Sequence, residues 1–308
     1  MRSYTYFCVV SESPQHLLLQ ALNDQNQAAI DERLATEGVK AWINHRALPE
    51  QLDNPIRELQ DVKSITCLTF ASLVKDVQTV RKLVESGADP TVTDSEGYSV
   101  LHYACASRVD AQAKVTYLLQ RDASLVNAYN HSENAVLAPW TKSTPLHVAA
   151  RHNQTDCIKI LNKDGKASVN ATDERGRTAL HLAAAAESAE AVNMLVQHPD
   201  CRVNATDEYG KTALHDAAEV GSAEAVKVLV QHPSCDFSIT DEDDGFDGDT
   251  AAGWARRWRH DEMAALIDAQ SKGNITKHFW WSDRTVGDCD VICPFALCLS
   301  LSTVYRFQ

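Results

Sequence analysis

ATDERGRTALHLAAAAESAEAVNMLVQHPDCRVN (residues 171–204) is followed directly by ATDEYGKTALHDAAEVGSAEAVKVLVQHPSCDFS (residues 205–238), and the two 34-residue segments agree at 22 positions. Tandem identity at this period means one supersecondary unit stacked on copies of itself. What one unit does physically therefore sets what most of the chain does.

In the second copy, Asp207, Glu208, Tyr209 and Gly210 carry turn chemistry, with Gly210 free to take a positive φ, and Thr212 caps a helix that begins at Ala213. Leu214, Ala217 and Ala218 fall at i, i+3 and i+4 and form a narrow apolar stripe, whose small residues admit a close neighbour. Gly221 ends this short helix. Ser222 then caps a second one, with Glu224 in its first turn near the positive dipole end and Val226, Leu229 and Val230 as its apolar stripe. His232-Pro233 closes it. His232 and its counterpart His198 are placed to meet the helix's negative end as cations. Two apolar stripes on so little chain can be covered only by neighbouring copies.

The run Asp-x-x-Gly-x-Thr-Ala-Leu-His-x-Ala-Ala, followed by Val-x-x-Leu-Val, resembles the ankyrin repeat, and Thr144-Pro145-Leu146-His147 supplies its Thr-Pro-Leu-His form. The resemblance implies an all-α solenoid of helix-turn-helix units joined by short β-hairpin-like turns. Anchoring on the capping residue gives Thr66, Ser99, Thr144, Thr178, Thr212 and Thr250, at intervals of 33, 45, 34, 34 and 38. An array over residues 62–273 follows, preceded by residues 1–61 and succeeded by an atypical tail, 274–308. Within the first segment, His16 to Ile43 has helical periodicity and reads either as a worn seventh unit or as a capping helical pair.

The 45-residue interval holds excess between Cys105 and Val115 and a loop, NHSENAVLAPWTKS (130–143), with no helical period. Trp140 in that loop is either a binding element or a side chain folded back on the adjacent repeat. The acidic run through Asp243, Asp244 and Asp247 fails the EF-hand spacing and reads as a hairpin tip facing a partner's basic groups or solvent. The last unit lacks the pattern histidine, and Arg256, Arg257, Arg259 and His260 suit a terminal cap facing water.

A net charge of −13 over 308 residues disfavours nucleic acid and favours a protein partner of basic or mixed charge. Nine scattered cysteines suit a reducing compartment, cytoplasm or nucleus, with Cys201 and Cys235 in equivalent packing positions. No membrane span is expected. Cys289, Cys293 and Cys298 do not have zinc-pair spacing, so no metal and no cofactor is expected. The tail that holds them reads as poorly ordered, as packed on the last repeat, or as of non-native origin, from an unusual splice or gene model.

His102, His147, His181 and His215 recur in one register, and the resemblance makes them struts between neighbouring turns, not catalytic bases. Phosphate loops, His-Glu-x-x-His and nucleophile elbows are absent from the sequence, so no enzyme is expected. The resemblance implies a monomeric interaction module that binds through hairpin tips and first helices. On this chain those positions are Ser95, Glu96, Tyr98, Arg151, His152, Glu174, Arg175, Arg177, Glu208, Tyr209, Lys211, Glu219 and Val220, with Trp140 and the acidic run as extensions. Tyr209, Arg175 and Trp140 are the expected anchors. Two further roles fit the same resemblance: an adaptor that recruits a substrate to an enzyme complex, or a substrate for asparagine hydroxylation at Asn127, Asn170 and Asn204.

Overall fold

The first helix of every repeat begins at a side-chain capping oxygen in the computed structural model, which describes residues 13–47, 64–130, 142–163, 166–242 and 248–282. Ser13 opens α1 (Pro14–Asn23) and Asn26 opens α2 (Gln27–Leu34), each accepting from a backbone N–H three residues on. A single turn, α3 (Val39–Trp42), follows. Six helix pairs come next: α4 (Cys67–Val74) with α5 (Val77–Glu85), α6 (Val100–Ala106) with α7 (Ala111–Arg121), and α8 (Pro145–Arg151) with α9 (Thr155–Lys163). The others are α10 (Ala179–Ala185) with α11 (Ala189–Val196), α12 (Ala213–Val220) with α13 (Ala223–Gln231), and α14 (Ala251–Arg257) with α15 (Asp261–Ser282). Among the described residues extended pairing is confined to single bridges, Ala47 with Ile65, Thr172 with Thr178 and Thr240 with Thr250. The architecture is the all-α solenoid with hairpin-like turns that the repeat implies.

Thr66, Ser99, Thr144, Thr178, Thr212 and Thr250 are the N-caps of α4, α6, α8, α10, α12 and α14. These first helices stack in one row, and α7, α9, α11 and α13 stack in a second. Alanines set the spacing of the first row: Ala183, Ala184, Ala217 and Ala218 are fully buried between neighbours. Leu146, Leu180 and Leu214 fill the space under each turn, and the second helices add Ile158, Val192, Leu195, Val226 and Leu229. Each such side chain contributes about 1.5–3 kcal/mol through burial, but only when the next unit is in place.

α1 packs on α4, with the Cys67 thiol donating to the Gln15 carbonyl at 3.4 Å, so the amino-terminal pair covers the end of the first row. The long interval after Ser99 contains an αL residue, Asp110, ahead of α7 and a 3-10 turn at Ala123–Asn127. Lys114 is fully buried there, and its Nζ donates to the Ser72 carbonyl at 2.9 Å and the Ser107 hydroxyl at 2.7 Å. Burial pushes its amine down to about 8.

The chain divides into two compact units, residues 1–268 and 269–308. In the second, α15 continues to Ser282, eight residues beyond Asn274 where the pattern of the array stops. Cys289, Cys293 and Cys298 lie outside the described residues, as does the rest of the tail.

Candidate interaction surface

Four of the first helices, α6, α8, α10 and α12, begin with the same device. The backbone N–H and hydroxyl of Thr144 bond His147 Nδ1 at 3.1 and 2.8 Å, and His147 Nε2 meets the Arg177 carbonyl at 3.0 Å. Because a backbone N–H donates to Nδ1, the proton is on Nε2 and is given to the carbonyl. His102, His181 and His215 repeat this with the carbonyls of Ser143, Lys211 and Asp249. Each accepting carbonyl immediately precedes the next capping residue, so every strut ties one turn to the next. Burial lowers all four imidazoles, His102 to about 4. The last unit has Gly253 in place of the histidine; an added Cβ there would meet Asp249 Oδ1 at 2.8 Å.

The hairpin tips are laddered as well. Glu208 N–H donates to the Arg175 carbonyl at 2.9 Å and Glu242 N–H to the Tyr209 carbonyl at 2.7 Å. Gly210, at φ +74°, is required by this stacking, since a Cβ would lie 2.9 Å from the Glu242 nitrogen.

A third ladder runs through asparagines. Asn170 donates to the Asp200 carbonyl at 2.6 Å and accepts from Arg202 N–H at 2.9 Å; Asn204 does the same with Ser234 and Asp236. Asn127 bridges Lys166 and Ser168. Asn44, which the periodicity did not single out, bridges Gly87 and Asp89 in the same way, so the amino-terminal pair is joined to the array by the device the repeats use. These amides are thus occupied in holding consecutive turns together.

With backbone and pattern residues accounted for, the remaining positions separate into two groups. Glu174, Arg175, Glu208, Arg151 and His152 are exposed, Tyr209 is 50% exposed and Val220 is exposed at the end of α12. Others make side-chain contacts within the array. Tyr98 stands edge-on to His102 at 5.5 Å and to Tyr103 at 6.2 Å, and burial pushes its phenol up to about 12. Glu96 is buried, and Ser95 Oγ accepts from Ser64 N–H across the turn. Arg177 is paired with Asp173 at 2.7 Å, and Lys211 with Glu219 at 3.0 Å. Trp140, Asp243, Asp244 and Asp247 lie outside the described residues.

At the ends of the second helices, His198 and His232 each accept at Nδ1 a backbone N–H from two residues on. The following proline forces a turn there, and the ring closes it. Cys235 is buried and Cys201 half-buried against the core, both as free thiols.

One depression stands out at the carboxy-terminal end of the exposed row. Tyr209, Trp254, Trp258, Lys211, Arg257 and Glu242 enclose most of a cleft of about 400 Å³. Trp258 is 52% exposed. Trp254 Nε1 donates to Asp241 at 2.9 Å, which fixes the indole, and Lys211 Nζ lies 3.5 Å from its ring centroid with Arg257 at 5.4 Å. Trp254 stands four residues after its capping threonine, in register with Val148, Leu182 and Asp216. The two tryptophans, four apart in WARRW, are the signal in the sequence for this aromatic wall on a helix otherwise suited to an end cap.

Asp216 is the polar member of that register. Its Oδ2 is shielded from solvent without a hydrogen-bond partner, and burial, with Asp207 next, pushes the carboxyl up to about 8. Among the described residues there is no cluster of three metal-ligating side chains and no helix long and apolar enough to cross a membrane.

The family model for ankyrin repeats (3 copies) matches residues 68–172, 122–207, 146–241 and 199–277. The chain is 30% identical over 133 residues, 43% of its length, to 12% of the nuclear factor NF-kappa-B p105 subunit of Gallus gallus. It is 27% identical over 147 residues, 46% of its length, to 8% of the E3 ubiquitin-protein ligase KEG of Arabidopsis thaliana. It thus spans about a tenth of the length of these curated relatives.

Proposed function

This chain belongs to the ankyrin-repeat family, and on that premise we propose that it is a non-enzymatic scaffold whose hairpin tips and first helices hold a partner protein of basic or mixed charge. Ankyrin repeats are protein interaction modules, so the open question is which face is used and how. The observation that carries the reading is the division of the repeat. Every position of the repeat pattern is spent on struts, ladders and core, while Glu174, Arg175, Glu208 and Tyr209 project from consecutive tips with nothing structural to explain their identity. Side chains on a laddered turn are held in place before binding, which lowers the entropy lost on association.

Large amphipathic side chains and guanidinium groups dominate interface energetics, which makes Tyr209 and Arg175 the anchors. Partner capture followed by titration calorimetry on Tyr209→Ala and Arg175→Ala tests this. Each is expected to weaken binding at least about tenfold with stability changed by less than about 0.5 kcal/mol. Leu214→Ala, in the core, is expected to cost about 2–5 kcal/mol of stability. Unchanged affinity in both surface variants would reject the face.

A further inference from the structure

Three aromatic side chains converge where the exposed row ends. Tyr209 and Trp258 are each about half exposed, whereas Trp254 is anchored through its Nε1 to Asp241. Electron-rich ring faces attract cations, and a guanidinium stacks flat on them. The cleft already shows this preference internally, because Lys211 and Arg257 both lie over Trp254. Those cations are matched, Lys211 by Glu219 at 3.0 Å and Arg257 by Asp249 at 3.8 Å. Glu242, also lining the cleft, is exposed and makes no side-chain hydrogen bond or ion pair among the described residues.

The charge around the cleft points the same way. Lining carboxylates are Glu219, Asp241 and Glu242, against Lys211 and Arg257 as cations. The whole chain carries a net charge of −13. A carboxylate ligand would have to face Glu242. A purely apolar side chain would leave Glu242 covered and unpaired.

We propose that the cleft between Tyr209 and Trp258 is an arginine pocket: it takes the guanidinium of an extended basic segment of the partner protein, stacked on the two exposed rings and paired with Glu242. This rests on the interaction-module reading and names the chemistry of its partner. A volume of about 400 Å³ accommodates one long side chain and part of its backbone.

The test uses the full chain and two peptides, acetyl-Gly-Ser-Leu-Arg-Leu-Ser-Gly-amide and the same peptide with citrulline, which keeps the planar shape and lacks the charge. Tryptophan emission and titration calorimetry report binding, and thermal melts confirm that each variant folds. The arginine peptide is expected to bind saturably and at least about tenfold more tightly than the citrulline peptide. Trp258→Ala and Tyr209→Ala should each weaken it about tenfold, and Glu242→Gln should remove most of its salt dependence. Equal affinity of the two peptides overturns the proposal, as does arginine-peptide binding that survives Trp258→Ala unchanged, or no binding at millimolar peptide. Partner capture that depends on Arg175 and Tyr209 while the peptides fail to discriminate would leave the scaffold reading standing and remove the pocket. Arginine-peptide binding that no partner protein displaces would do the reverse.

Discussion

Lys211 Nζ sits 3.5 Å from the centroid of the Trp254 ring while bonded to Glu219 at 3.0 Å, so one ammonium joins the hairpin before α12, the end of that helix and the first helix of the last unit. Both side chains of the ion pair are partly buried, Lys211 to 17% exposure. Partial desolvation is what lifts such a contact above the near-zero worth of a surface pair.

Lys211→Met should therefore lower stability by about 1 kcal/mol in urea denaturation. A double-mutant cycle with Trp254→Leu should return a coupling of about 0.5–1 kcal/mol. Additive effects would mean that the ammonium is held by Glu219 alone and the ring is a bystander.

The four histidine struts give the array a pH limit on the acid side. Each folded imidazole titrates below its ordinary value, so the unfolded chain takes up protons first as pH falls, and stability present above about 6.5 is lost below it. Urea midpoints should drop between pH 7 and pH 5. His181→Ala should cost about 2–4 kcal/mol at neutral pH, from the orphaned cap and carbonyl, and should make the acid-side slope shallower. A midpoint independent of pH over this range would show that the rings are not held neutral.

Asp216 acts in the opposite direction. Its folded carboxyl is raised to about 8 from 3.8, so the stability associated with its protonated form is complete at low pH and is lost as pH rises through about 8. The histidines and Asp216 thus pull the pH dependence in opposite directions. Asp216→Leu, which copies Leu182 of the twin repeat, should raise stability by about 1–3 kcal/mol at pH 7.5 and shift the optimum upward. Lower stability in this variant would show that the carboxylate has a partner in solution.

Much of this was legible from residues 171–238. The turn glycine, the capping threonine, the histidine and the alanines are each a local demand of a unit that must stack on its copy, and repetition makes such demands visible. Repetition says less about Tyr98, Glu96 and Arg177. Those positions vary among repeats, and variability marks equally a side chain that contacts a partner and one that fills a local niche. Tyr98 is packed against His102 and Tyr103, and Arg177 closes onto its own hairpin aspartate. Asn44 bridges Gly87 and Asp89 in the same way but stands in Ile-Asn-His, not in the Val-Asn-Ala of Asn127, Asn170 and Asn204, so no local motif marks it.

By itself the sequence determined the unit, its register, its caps and the core faces, because these depend on interactions within about 34 residues and are restated in each copy. Only the tertiary structure decided that Tyr209, Trp254 and Trp258 share a cleft. Tyr209 stands on the hairpin before α12 and the two tryptophans on α14 and its end, no repeat restates them, and the meeting of ring and hairpin depends on how far one unit is rotated against the next. That rotation is set by the sum of the struts, ladders and alanine contacts, not by any one of them.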